Sequence, residues 1–175
     1  RDAAIDYLAH AAACARDAGE LCEVAEAHVE VDHREAAYAL LQRAESLATS
    51  VRDCATISRA YADPMQDRER ARVNLDRGLA RIACVGDALA MRTALAEHRA
   101  PAAEQASCLT RAEDVARTAA DWFELAQALL FEHDCDLDYL GRATVLARDE
   151  LEQRRIRYAR AHRLAEPDRV VGVPV

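Results

Sequence analysis

The sequence predicts an all-α fold built from stacked antiparallel helix pairs, about nine to ten helices in all. Composition is the first observation that predicts it. The 175 residues include 40 Ala but only five Gly and four Pro, too few turn formers for an all-β chain. Periodicity is the second: apolar and small residues recur at i, i+4 and i+7, one face of a helix. The third is repetition of that spacing about every 34 residues, the mark of a repeat architecture.

One signature is Ala, three residues, Leu, two residues, then a small residue. It reads Ala4-Leu8-Ala11, Ala37-Leu41-Ala44 and Ala71-Leu75-Gly78, then degrades to Gln105-Leu109-Ala112 and Asp136-Leu140-Ala143. The small third residue lets a neighbouring helix approach closely. Ala11, Ala44, Gly78, Ala112 and Ala143 are therefore expected to be buried at helix crossings. A second signature alternates with the first: Leu21-Val24-Ala25-His28, Cys54-Ile57-Ser58-Tyr61, Ala88-Met91-Arg92-Leu95 and Trp122-Leu125-Ala126-Leu129. The alternation makes each unit two antiparallel helices. Joints fall at Asp32-His33, Asp63-Pro64, Ala100-Pro101 and Asp134-Cys135, where Pro restricts the residue before it and Asp tolerates turns. Asp53, Asp87 and Asp121, spaced by 34, precede the second signature as N-cap or first-turn acids, with Glu20 in the equivalent place.

These signatures resemble the tetratricopeptide repeat family, whose pattern is roughly W-x2-L-G-x2-Y, A-x3-F-x2-A, then P. Trp122-Phe123-Glu124-Leu125-Ala126 is closest to its first half, and Ala37-Tyr38-Ala39-Leu40-Leu41-Gln42-Arg43-Ala44 to its second. Leu stands at the Phe place, and the terminal Pro is absent. The resemblance implies a right-handed α-solenoid over residues 1–164. Residues 1–17 form an orphan second helix, and 18–50, 51–84, 85–118 and 119–150 form helix pairs. Residues 151–164 are a terminal helix and 165–175 a C-terminal tail. The resemblance also implies a non-catalytic scaffold that holds a peptide or partner helix in a groove lined by each first helix. That geometry points Glu26 and Glu30, Arg52 and Arg59, and Phe123, Gln127 and Phe131 into the groove. It also points Cys22, Val29, Ala55, Ala62, Leu89, Thr93, Ala96 and Leu130 inward. Two Arg seven apart, then an apolar patch, suit a partner helix carrying acids beside Leu or Phe.

Other functions are disfavoured. All 23 basic residues are Arg, so no P-loop or Schiff-base Lys exists. A net charge of −8 opposes sequence-independent nucleic-acid binding. No apolar run reaches the ~20 residues of a membrane span. Six Cys without a CxxC motif read as small buried hydrophobes in a reduced, cytoplasmic setting. No cofactor or metal is expected. Two His-and-acid clusters, His28/Glu30/Asp32/His33 and Glu132/His133/Asp134/Cys135/Asp136/Asp138, carry ligand types but sit at turns, where acids cap helices. The basic run Arg142–Arg163 could dock an acidic partner or RNA, but reads better as a solvated terminal helix. The alternatives are a small di-iron-type metal protein or a regulatory or oligomerisation arm of a larger enzyme. The first requires Glu-x-x-His on two helices, and only Glu30–His33 matches, across a turn.

A charge ladder is also expected. His10, Arg43, Arg77, Arg111 and Arg142 each precede an acid by ten residues: Glu20, Asp53, Asp87, Asp121 and Glu152. Each pair would meet across the corner joining one unit to the next.

Overall fold

A computed structural model describes residues 2–129 and 135–165. Among these residues the chain forms ten helices and no strands. They are α1 (Asp2–Cys14), α2 (Ala18–Glu30), α3 (Arg34–Leu47), α4 (Val51–Ala62), α5 (Arg68–Ala80), α6 (Val85–Glu97), α7 (Ala102–Val115), α8 (Ala119–Ala128), α9 (Cys135–Leu146) and α10 (Glu150–Ala165). None is long and apolar enough to cross a membrane. The contacts divide the chain into two compact units. Unit 1 is Arg1–Ile82 with Ala90–Cys108, and unit 2 is Ala83–Leu89 with Leu109–Val175. Thus α6 and α7 each contribute to both. Of the expected tail at 165–175, Ala165 ends α10 and residues 166–175 lie outside the described residues.

In unit 1, α2 packs on α3 and α4 on α5, and α2 also meets α4. The recurring small residues explain how. Ala37, Leu41 and Ala44 of α3 are fully buried against Leu21, Ala25, Ile57 and Tyr61. A Cβ added to Gly78 would stand 2.5 Å from Met91 Sδ and 3.2 Å from Cys54 Cβ, so a larger residue would have to displace Met91 at that crossing. In unit 2, α8 packs on α9, and α10 rests on both. Leu125, Ala126, Leu129, Leu140, Ala143 and Ala112 are fully buried there. Ala11 departs from expectation: it is only partly buried, on a helix that packs chiefly on α2.

Turn closure uses backbone geometry the sequence did not announce. After α2, Asp32 takes φ 60° and the His33 N–H reaches the His28 carbonyl at 2.8 Å. After α6, Arg99 takes φ 53° and the Ala100 N–H reaches Leu95 at 2.9 Å. Both closures are Schellman motifs, in which a left-handed residue satisfies the last helical carbonyls.

The periodic acids serve as N-terminal clamps. Asp53 accepts from the N–H groups of Thr49 and Ser50 (2.9 and 2.8 Å), while Ser50 Oγ accepts from Asp53 N–H at 3.0 Å. Asp121 and Thr118 form the same capping box. Burial pushes the acidity of Asp53 and Asp121 toward higher pKa, but the backbone donors outweigh it and hold both carboxyls below their usual value. Three of the basic residues expected to pair with the periodic acids, Arg43, Arg77 and Arg142, are engaged elsewhere. Arg43 donates to the carbonyls of Ala12 (2.9 Å) and Ala15 (3.2 Å) at the end of α1. Arg77 and Arg81 donate to those of Glu45 (3.4 Å) and Ala48 (3.1 Å) at the end of α3. Arg142 lies 4.6 Å over the Trp122 ring. A guanidinium satisfies orphan carbonyls at the negative end of a neighbouring helix, whereas the acids' lone pairs are already taken by their own helix starts.

Candidate functional site

Of the residues assigned to a groove, Glu26 and Glu30 of α2, Arg52 and Arg59 of α4 and Gln127 of α8 are exposed. Phe123 is half-buried, and Phe131 lies outside the described residues. Cys22 and Ala55 do not line a surface; both are buried. Alternate faces of α2 and α4 must cover two neighbours, so their apolar stripe is wider than a single-sided helix needs. Burial, with Glu26 nearby, pushes the Cys22 thiol up to about 12, so it stays protonated and inert.

Unit 1 holds an open cleft of about 810 Å³ beside Arg59. It forms where α4 hands over to α5 and α6 to α7. Arg59, Arg68, Arg72 and Arg99 line it, with Asp63 and Glu97, over Ala62, Leu75 and Ala100. Arg59 Nε stands 3.5 Å from Glu97 Oε2, an exposed pair with side chains 58% and 48% accessible. Arg72 is anchored more firmly, to Asp76 at 3.0 Å and Glu104 at 2.6 Å. His98 forms part of the wall. Ser58 Oγ gives its only proton to the Ala71 carbonyl at 2.9 Å, so it must accept from His98 Nε2 at 3.0 Å. Burial pushes His98 below the usual histidine value; Glu97 opposes this and Arg59 adds to it.

Unit 2 holds a smaller groove of about 220 Å³ at Phe123 and Gln127. Ala119, Ala120 and Ile156 supply apolar wall, and Glu124 and Glu152 its acids. The Arg155 guanidinium lies 5.5 Å over the Phe123 ring, a cation–π contact.

At the first His-and-acid cluster, the His28 and His33 rings are 5.2 Å apart and both Nδ1 atoms are buried without a hydrogen bond. His28 fills the buried slot that Tyr61 fills one repeat later. No group of three ligand-type side chains gathers among the described residues. Of the second cluster, Glu132, His133 and Asp134 lie outside them.

Sequence reasoning missed Arg68, Arg72 and Arg99, and placed Arg155 only in a basic run read as solvated. It transferred one helix face per repeat, whereas the cleft is walled by second-helix starts and turns. The run Arg68-Glu69-Arg70-Ala71-Arg72, directly after a Pro-bearing turn, was the available signal. Comparison with protein-family models, with curated proteins and with solved structures finds no match for this chain.

Proposed function

We propose that the chain is a protein-interaction module, a right-handed tetratricopeptide-like solenoid without catalytic chemistry of its own, working in the reduced cytoplasm. The observation that carries this reading is the division of α4. Its Cys54, Ile57, Ser58 and Tyr61 are buried, while Arg52 and Arg59, seven apart on its open side, remain exposed beside a cleft. A helix that spends its apolar face on packing and offers spaced cations outward is built to meet another chain. The unit-2 groove at Phe123 and Gln127 offers an apolar surface of the same purpose. Thiols at Cys14, Cys22, Cys54 and Cys84 that form no disulfide suit a reducing compartment.

The test is partner capture from native extract with Arg52→Glu and Arg59→Glu combined. Both side chains are exposed, so circular dichroism and melting should match the parent. A partner present with the parent chain should be lost with the variant. Retention of the same partner set by a folded variant would overturn the assignment.

A further inference from the structure

We propose that the unit-1 cleft binds an acidic peptide segment, whose carboxylates pair with Arg68 and Arg99 and take Arg59 from Glu97. This rests on the interaction-module reading and names the ligand class for one of its surfaces. Charge is the first argument. Arg59, Arg68 and Arg99 face Asp63 and Glu97 in the cleft, with Arg72 already balanced by Asp76 and Glu104, within a chain of net charge −8. Helix dipoles do not alter that balance: α4 and α6 end near the cleft and α5 and α7 begin there, so positive and negative ends offset.

Occupancy is the second argument. Arg72 is held on two sides by Asp76 and Glu104. The Arg59–Glu97 pair is longer and half exposed, the kind of pair that contributes little and exchanges readily. The guanidinia of Arg68 and Arg99 make no ion pair or hydrogen bond among the described residues. Arg99 also stands at φ 53°, where glycine is the usual residue. The fold thus carries a strained backbone position and keeps a cation at the cleft.

Shape separates a peptide from a small anion. The cations are spread around about 810 Å³ rather than gathered at one point. Asp67 takes the Arg70 N–H at 3.0 Å, leaving that donor at the start of α5 closed to a phosphate. Leu75, Ala62 and Ala100 provide an apolar floor, which an apolar residue between two acids would cover. A guanidinium fork matches a carboxylate in two-point geometry.

The experiment measures fluorescence anisotropy of a labelled peptide, Glu-Glu-Leu-Glu-Glu-Leu, against the full chain. Its Gln-for-Glu counterpart is the control, and inorganic phosphate the competitor. The Glu peptide should bind, the Gln peptide should not, and binding should weaken with added NaCl. Arg68→Ser and Arg99→Gly should each weaken it about fivefold, and Glu97→Gln should strengthen it. Arg99→Gly should also hold or raise the melting temperature, so its loss of binding is not unfolding. Unchanged affinity in Arg68→Ser and Arg99→Gly would overturn the proposal. So would displacement by equimolar phosphate, which marks a small-anion site. If the Glu peptide fails to bind while Arg52→Glu with Arg59→Glu still loses captured partners, the ligand class is wrong and the interaction reading stands. If both fail, both fall.

Discussion

Both units hold an aromatic pair between two successive helices, but they secure it differently. In unit 1, Tyr38 and Tyr61 meet edge to face at 5.6 Å, and Arg70 sits 5.8 Å over Tyr38. Glu45, only 14% accessible, then takes Arg70 at 3.1 Å and Asn74 at 2.9 Å, while Tyr38 donates to Asp67. In unit 2, Trp122 and Tyr139 meet at 5.7 Å, Arg142 lies directly over the indole, and Tyr139 donates to Glu113. Tyr38 and Tyr139 are each the fifth residue of their helix, α3 and α9. The aromatic partner differs: Tyr61 closes the end of α4, while Trp122 opens α8. The two tyrosines stand at different places of the repeat, one residue after Ala37 and three after Asp136, and the unit decides whether a partly buried acid or a ring face restrains the arginine. Low local dielectric makes the buried acid the costlier group to lose.

That difference sets the largest expected effect. Glu45→Ala leaves Arg70 and Asn74 without their shared acceptor and should cost about 2–3 kcal/mol. Arg142→Ala removes one cation–π contact at an exposed edge and should cost about 0.5–1 kcal/mol. Urea denaturation of both variants checks this. Equal losses would mean that the two clamps are equivalent and that burial of Glu45 adds nothing.

Acid should act on unit 1 before unit 2. His28 and His98, both in unit 1, are held below the usual value of 6.5, chiefly by burial; His33 adds to the effect at His28. With the folded pKa depressed, the unfolded chain binds more protons as pH falls below 6.5. Stability contributed by these sites is thus complete above that value and drains as pH drops toward the folded pKa. Melting temperatures at about pH 7.5 and about pH 5.5 should differ, and His28→Phe should narrow the gap. Hydrogen exchange should accelerate in α2 and α3 ahead of α8 and α9. An undiminished gap in His28→Phe would remove His28 from the account.

Much of the fold was legible because repetition copies its constraints. Ala44, Gly78, Ala112 and Ala143 could be read as crossings since a small residue at the same phase of every second helix has a steric reason. Ala11 failed because burial at that phase needs close packing on more than one side, and α1 packs chiefly on α2. The ladder from Arg43 to Asp53 failed for a different reason. Spacing along the chain shows that two charges recur together, but not which atoms they reach. Backbone N–H and C=O groups at helix ends compete for both partners, and they are closer. At the candidate site, exposure of Arg52 and Arg59 followed from one helix face. Arg68, Arg72 and Arg99 did not, because a cleft made by helix starts and turns has no helical period. A positive φ at Arg99 leaves no compositional trace, since the residue is not glycine.

The smallest expected effect sharpens the comparison at the helix starts. Glu20, Asp53, Asp87, Asp121 and Glu152 all reach back to a backbone N–H four residues earlier. In four of these helices the residue three before the acid is Asp17, Ser50, Thr118 or Asp149, and its oxygen takes the acid's own N–H at 2.8–3.2 Å. In α6 that place belongs to Cys84, an exposed thiol, and sulfur is a weak acceptor. Asp87 still accepts from the Ala83 N–H at 3.1 Å, so half of the reciprocal box is already built. A hydroxyl at position 84 would complete it, as Ser50 does for α4 in unit 1 and Thr118 for α8 in unit 2. Cys84→Ser should therefore stabilise the chain by about 0.5–1 kcal/mol, read as a higher urea midpoint at unchanged slope. Cys84→Ala is the control, since it removes the thiol without adding an acceptor. Equal midpoints for the serine and alanine variants would show that the α6 start gains nothing from the oxygen its four counterparts use.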